Sequence, residues 1–316
     1  MKKLLVTGGA GFIGSHLVER LLIDGFEVTC LDNLSAGNID NLKNALKNKF
    51  FHFIKGDIRN RIDIQNVLDD YDTIFHFAAN PEVRLGDPEI HFSSNILGTF
   101  NILESMRKSD VKRIVFASSS TVYGDASVLP TPENYSPLQP ISVYGASKLA
   151  CEALISSYCH VYGFNGICLR YANIIGPRLR HGVIYDFIMK LKKNPRRLEI
   201  LGDGTQRKSY LYISDAINAT TFIWNRCRKG YYVYNVGNKD SITVMDIARI
   251  VVELMNLRNV EFYTTGGVDG GRGWKGDVKY MLLSIEKLES IGWRPKYNSM
   301  ESVKMTAKAL IEELGV

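Results

Sequence analysis

The chain has 316 residues, 45% of them hydrophobic and 23% charged, the make-up of a globular protein with a substantial core and room for two domains or one large α/β unit. No apolar run approaches the ~20 residues of a membrane helix, and the five cysteines are odd in number and scattered with no C-x-x-C pair, so neither a membrane protein nor a secreted one is expected and a reduced cytoplasm fits best. The net charge of +6 is concentrated at 166–210, where ten Lys/Arg face three Asp/Glu; no basic run carries interleaved aromatics, which argues against nucleic acid and for a small anionic ligand.

The first apolar run, Leu4-Leu5-Val6, reads as a buried strand. It ends in Thr7-Gly8-Gly9-Ala10-Gly11-Phe12-Ile13-Gly14, and residues 15–22 continue with helical spacing. Gly8 suits a tight turn, Gly11 lets backbone approach a pyrophosphate, and Gly14 lets helix and strand pack closely. Free N–H groups and the helix dipole favour an anion there. A second apolar run, 27–31, ends at Asp32, 18 residues past Gly14 (32 − 14). A carboxylate at that spacing can hold both adenosine ribose hydroxyls and repels a 2′-phosphate, so NAD is favoured over NADP.

A polar loop, 33–38, is followed by an expected helix and then a strand at 50–54 that ends in Gly56-Asp57-Ile58, where an adenine edge or a plain turn would lie. A strand at 73–77 ends in Ala78-Ala79, small enough for a close dinucleotide. A long helix over about 90–109 and a fifth strand at 113–117 follow. Repeated βα units of this length predict a parallel sheet with helices on both faces and ligands beyond the carboxyl ends of its strands.

Ser118 to Gly124 (SSSTVYG) leaves the fifth strand at that same edge, and a proline-rich loop leads to Tyr144-Gly145-Ala146-Ser147-Lys148, which opens a helix running to about 162. Tyr144 and Lys148 are i and i+4 and share a helical face. An ammonium beside a phenol favours the phenolate, so Tyr144 is expected to titrate below its usual ~10 and serve as a base. Further on, a helix at 183–193, short strands near 198–201 and 231–234, and helices after 243, 284 and 299 are expected. No low-complexity linker or internal repeat separates the halves, which implies a smaller lobe joined by several chain crossings. No His spacing suggests a metal site.

At these residues the sequence resembles the extended short-chain dehydrogenase/reductase family, in particular nucleotide-sugar epimerases of the UDP-glucose 4-epimerase type. The resemblance spans nearly the whole chain. It rests on Gly8-x-x-Gly11-x-x-Gly14, Asp32-Asn33, Gly56-Asp57-Ile58, His76-Phe77-Ala78-Ala79, the segment from Ser118 to Gly124, and Tyr144-x-x-x-Lys148. Leu169-Arg170-Tyr171-Ala172-Asn173, Gly202-Asp203-Gly204, Asp215 and Asn235-Val236-Gly237 extend it. It implies a Rossmann-like doubly wound parallel sheet over 1–172 and a smaller mixed α/β C-terminal substrate lobe over 173–316.

The resemblance also implies roles. NAD would lie on Gly8, Gly11, Phe12, Ile13, Gly14, Asp32, Asn33, Asp57, Ile58, Phe77, Ala78 and Ala79, with Asn95, Ser118 and Tyr171 near the nicotinamide. Tyr144 would be the base for the sugar 4-hydroxyl, tuned by Lys148, which also holds the nicotinamide ribose, and Ser119 would share that hydroxyl. A UDP-sugar would meet Arg84, Ser120, Asn173, Val183 and Asp277, its diphosphate held by Arg207 first, then Lys208 or Arg272. Two long helices would pair in a homodimer. Met281, with Tyr280 beside it, is placed to decide whether an N-acetyl group fits at the sugar 2-position, so UDP-glucose/UDP-galactose, the N-acetyl pair and both stay open. The alternatives are a UDP-glucuronate epimerase or decarboxylase, with Arg84 or Arg180 on the carboxylate, a 4,6-dehydratase, and a catalytically silent NAD-sensing scaffold. The dehydratase needs an acid and base, whereas Ser119, Ser120 and Thr121 supply no carboxylate; the scaffold should have lost Tyr144 or Lys148.

Overall fold

The computed structural model describes residues 2–68, 71–84 and 87–316. They form two compact units, one built from 1–122, 143–170 and 217–234, the other from 123–142, 171–216 and 235–316. The chain passes between the units at 122/123, 142/143, 170/171, 216/217 and 234/235.

The first unit is organised on a seven-stranded sheet: β1 (Lys3–Thr7), β2 (Glu27–Asp32), β3 (Phe51–Lys55), β4 (Thr73–His76), β5 (Arg113–Ser119), β6 (Asn165–Tyr171) and β7 (Tyr231–Val236). Their order is β7-β6-β5-β4-β1-β2-β3. The pairs β1/β2, β1/β4, β2/β3 and β4/β5 are parallel. The order reverses direction between β1 and β4, the switch point where such sheets bind ligands. The centres of β1 and β4 are apolar on both faces and buried (Leu4, Leu5, Val6, Ile74, Phe75), as helices on both sides require. Each such side chain contributes about 1.5–3 kcal/mol by leaving water.

Three helices matter for the site: α1 (Phe12–Ile23), α2 (Gly98–Arg107) and α3 (Val143–Tyr162). Two sequence expectations need correction. The crossover from β2 to β3 holds only two short 3₁₀ turns, Ile39–Leu42 and Ala45–Lys47, because the Asn38 side chain accepts from Asp40 N and starts a tight turn instead of an α-helix. The long helix expected at 90–109 is interrupted. Its His91–Leu97 stretch is π-helical, ahead of α2. The looser winding leaves the Asn95 carbonyl to accept from Thr99 Oγ1 (2.6 Å) and from Cys151 Sγ (3.3 Å), a kind of local bulge common at functional sites. A short helix, Arg61–Gln65, capped by Asn60, was not foreseen.

The second unit is mixed α/β. Short strands pair as Asn173–Ile175 with Tyr210–Tyr212, as Arg197–Ile200 with Glu261–Thr264, and as a three-stranded set with Arg207–Lys208 between Ile242–Thr243 and Tyr280–Met281. Helices Val183–Lys193, Val244–Leu254 and Ser299–Leu314 belong to it.

Candidate active site

The turn after β1 is shaped for close approach. Gly8 has φ +72°, and a Cβ there would lie 2.5 Å from Ala78 N, so only glycine fits. A Cβ on Gly14 would collide with the Gly8 carbonyl, which keeps α1 tight against β1. Helix α1 starts after Gly11 with no side chain capping it, so the first amides, on Phe12 and Ile13, precede the first intrahelical bond, Ser15 N to Gly11 O (3.0 Å). An anion there meets bare N–H groups and the positive end of the dipole.

Asp32 ends β2 buried, its two oxygens accepting from Ala10 N (2.9 Å) and Leu34 N (2.8 Å). Burial pushes the carboxyl upward and the two amides oppose that. Each oxygen keeps a lone pair for a ribose hydroxyl. Asn33 and Asp57 are bonded to each other. Asn33 Nδ2 donates to Asp57 (2.9 Å), and Asp57 is paired with Arg59 (2.6 Å), whose hydrogen bond holds it near 2. Asp57 is thus already satisfied, and Ile58 is a core side chain that fills the space over Gly98. Phe77, Ala78 and Ala79 follow β4, with Phe77 N and Ala78 N bonded to Thr7. His76 is locked between Thr7 Oγ1 (2.8 Å) and Thr99 Oγ1 (2.9 Å); burial first, then the Lys148 charge, lowers it to about 3, so it is neutral and structural.

The strand end of β5 and the first turn of α3 bring Ser119, Tyr144 and Lys148 together in the first unit. Ser119 Oγ accepts from Thr121 N (3.2 Å) and Thr121 Oγ1 (2.9 Å). Both its lone pairs are then taken, so its own proton goes to Tyr144, and this bond pulls the phenol downward. Burial outweighs it and pushes Tyr144 to about 12. Lys148 lies with its ammonium 5.7 Å from the Tyr144 ring centre but donates to the Ala117 carbonyl (2.8 Å), and burial lowers it to about 8. The expected drop in the Tyr144 pKa caused by Lys148 is therefore not seen in the free chain, since the ammonium is turned to a backbone carbonyl and the phenol is desolvated.

Sequence reasoning missed the residues that hold this group in place. Thr121 orients Ser119. Ser147 Oγ donates to the Tyr144 carbonyl (2.7 Å) and accepts from Asn95 Nδ2 (2.9 Å), while Asn95 Oδ1 accepts from Asn80 N (2.8 Å). Asn95, 2% exposed, therefore ties the loop after β4 to the first turn of α3. Ser118 also turns inward, donating to Glu152 (2.5 Å), and Glu152 is paired with Arg170 (2.7 Å). The pair is 3% and 5% exposed, and only the spacing of Glu152 eight residues after Tyr144 hinted at it. Arg84 lies in the loop after β4, its N–H bonded to Glu82 (2.7 Å).

In the second unit, Lys208 Nζ meets Asp277 Oδ1 at 2.5 Å and lies 5.3 Å from the Trp274 ring centre. Arg272 donates to the Asp277 carbonyl (2.5 Å) and forks onto Asp125 (2.9 and 2.8 Å). Arg207 is not part of this cluster. Side chains alternate along a strand, and Arg207 points to the other face, exposed, where it donates to the Ser241 carbonyl (3.0 Å). The same alternation separates Tyr280, 50% exposed, from Met281, buried and on the Lys208 face. Asn173 donates to the Ser209 carbonyl (3.0 Å); Tyr171 is buried; Val183 begins its helix.

The basic zone at 166–210 does not act as one patch. Arg170 is paired with Glu152, Arg180 with Glu313, Lys190 with Asp186 and Glu199, and Arg197 with Glu261. Glu152, Glu313 and Glu261, distant in sequence, each take one of its charges.

A model of the NAD dependent epimerase/dehydratase family matches residues 4–237. The chain belongs to that family. A solved UDP-galactose 4-epimerase is 47% identical, with a TM-score of 0.88 over 99% of each chain. A UDP-glucose 4-epimerase of Halalkalibacterium halodurans is 32% identical, covering 95% of this chain and 92% of its own. The dTDP-D-glucose 4,6-dehydratase of Mus musculus is also 32% identical, over 97% and 88%. The epimerase/dehydratase family thus supplies the fold, the NAD dependence and nucleotide-sugar chemistry, and both reaction branches occur among relatives. The residues present fit the dinucleotide, because the uncapped start of α1, the Gly8 approach and the two open lone pairs of Asp32 match its pyrophosphate and ribose. No helix among the described residues is long and apolar enough to cross a membrane, and none of their His, Cys, Asp and Glu form a metal-holding group.

Proposed function

We propose that this enzyme epimerises a UDP-hexose at C4 through a transient 4-keto sugar. The observation that carries the reading is the Ser119–Tyr144 hydrogen bond with Thr121, not a carboxylate, behind it. NAD, when bound, takes and returns a hydride at that carbon. Tyr144, as the phenolate, would accept the 4-hydroxyl proton at Oη and return it from the phenol in the reverse step. Ser119, fixed by Thr121, donates to that phenolate. Lys148 supplies a nearby positive charge that favours it, provided its Nζ turns from Ala117. Lys208, with Arg272, is our candidate holder of the diphosphate, Asp277 positioning the two cations, and Met281 our candidate gauge of the sugar 2-substituent.

A 4,6-dehydratase needs an acid and a base for the C5–C6 elimination, and no carboxylate stands at 119–121. A UDP-glucuronate enzyme needs a cation for the sugar carboxylate, and Arg180 is paired with Glu313 at 2.7 Å. We further propose a homodimer formed through the helical segments 90–107 and α3, where Phe92 (59%) and Val161 (65%) are exposed, and sedimentation would test it. The test of function is incubation with UDP-galactose and UDP-N-acetylgalactosamine, with products read by NMR. Gluco epimers without net NADH, lost in Tyr144→Phe, support it; a 4-keto-6-deoxy product, or no conversion of either sugar, rejects it.

A further inference from the structure

The loop that follows β2 packs against the glycine turn, and both belong to the first unit. Leu34 stands in the left-handed region at φ +61°, a costly place for a leucine, and its N–H is held by Asp32 Oδ1 (2.8 Å). The reversed chain brings Gly37 onto Ala10. A Cβ on Gly37 would lie 2.9 Å from the Ala10 carbonyl carbon, so any side chain there would push the two segments apart. The chain then enters the 3₁₀ turn Ile39–Leu42, anchored by the fully buried Leu42.

The effect of this close approach is seen at Ala10. Its N–H donates to Asp32 Oδ2 (2.9 Å). Its carbonyl accepts twice, from Asn38 N (3.0 Å) and from Asn41 Nδ2 (2.9 Å), which uses both lone pairs. Bonding to a carbonyl also fixes which end of the Asn41 amide faces Ala10. On the other side of the same peptide, Gly11 N donates to the Gly8 carbonyl (3.1 Å). The Ala10–Gly11 peptide is thus pinned at both its oxygen and its nitrogen. Rotating it would shift Gly11, from which α1 starts, and with it the first amides offered to an anion. Asn38 gives a main-chain N–H that almost any residue supplies, whereas the Asn41 bond depends on the side chain.

We propose that Asn41 is a positioning residue for the cofactor: through the Ala10 carbonyl it presets the glycine turn for the NAD pyrophosphate, and so governs how tightly this chain retains NAD. A turn already ordered before binding spares the dinucleotide the cost of ordering it. The 3₁₀ turn that stands where a helix was expected is the support from which Asn41 reaches Ala10. The inference rests on the fit of the dinucleotide to the glycine turn and is independent of which sugar reacts.

The experiment follows release of labelled NAD from the full-length holoenzyme during a chase with excess unlabelled NAD, and measures the affinities of NAD and ADP-ribose by displacement. Asn41 is half-buried, so its replacement leaves the core intact. Asn41→Leu has a similar volume and no added charge but cannot donate; it should speed release and weaken both ligands by about three- to tenfold, the worth of one hydrogen bond. Asn41→Gln restores the donor and should bring release back to within about twofold of the parent. Gly37→Ala keeps Asn41 but presses the loop off Ala10, and should move release in the same direction as Asn41→Leu. ADP-ribose lacks the nicotinamide, so an equal loss for both ligands locates the effect at the pyrophosphate turn. Release from Asn41→Leu as slow as from the parent, an equal acceleration in Asn41→Gln, unchanged retention in Gly37→Ala, or a loss confined to NAD with ADP-ribose unaffected overturns it.

Discussion

Lys148 donates its ammonium proton to the carbonyl of Ala117, 2.8 Å away, four residues along the helix from Tyr144. Strand β5 therefore holds the lysine before any cofactor does. A buried ammonium held by one carbonyl is only partly compensated, and this accounts for its fall to about 8.

That fall has a signed consequence for stability. The folded pKa lies below the usual ~10.4 of an unfolded lysine, so the unfolded chain binds more protons between those values and stability rises with pH across that window. At pH 7 the full cost of burying the charge is present. Lys148→Met should therefore be more stable relative to the parent at pH 7 than at pH 10, by up to about 3 kcal/mol. Urea unfolding of NAD-free protein at both pH values measures it; an equal difference at the two would show that Lys148 is not desolvated.

Glu152 and Arg170 are a buried pair with Ser118 as a third partner. Glu152→Gln or Arg170→Met should each cost about 3–5 kcal/mol by leaving one charge uncompensated, and the double change should recover part of that. A denaturation cycle on the four proteins reads the coupling. Additive losses would contradict it.

Thr121→Val removes the hydroxyl that fixes Ser119. With a lone pair freed, the Ser119 proton is no longer directed at Tyr144, and kcat should fall about tenfold, less than the ~10²–10⁴-fold of a lost acid–base group because only its positioning is removed, with KM little changed. Thr121→Ser should restore it. Steady-state kinetics of both variants decides the matter, and a Val variant as fast as the parent would exclude a positioning role.

Lys208 and Arg207 are neighbours with opposite outlooks. If Lys208 holds the diphosphate, Lys208→Met should raise KM for the UDP-sugar by about 10–100-fold, a loss of roughly 1.4–2.7 kcal/mol of binding. Arg207→Met, on the exposed face, should change it less than twofold. The reverse ranking would restore the assignment made from the sequence.

Much of the fold could be read from local pattern. The glycine turn, Asp32 at the end of β2 and the i, i+4 spacing of Tyr144 and Lys148 are short-range relationships, and the alternation of apolar runs with helical spacing announces a parallel sheet. Several of the misses are long-range. The inward turn of Ser118 and the engagement of Asn95, whose carbonyl lies in the π-helical stretch, involve partners 15 to 56 residues away. The pairing of Arg180 with Glu313 spans more than a hundred. No local window contains them.

Taken alone, the sequence determined the chemistry available: a dinucleotide turn only glycine can make, an acidic ribose partner, and a tyrosine and lysine on one helical face. Tertiary structure decided which of those groups are free. It directed Lys148 to Ala117, set the Ser119 proton on Tyr144 through Thr121, and sent Arg207 and Lys208 to opposite faces of a strand. The reason is physical: a side chain's type is local, but its burial and its hydrogen-bond partners are set by whatever the fold packs against it.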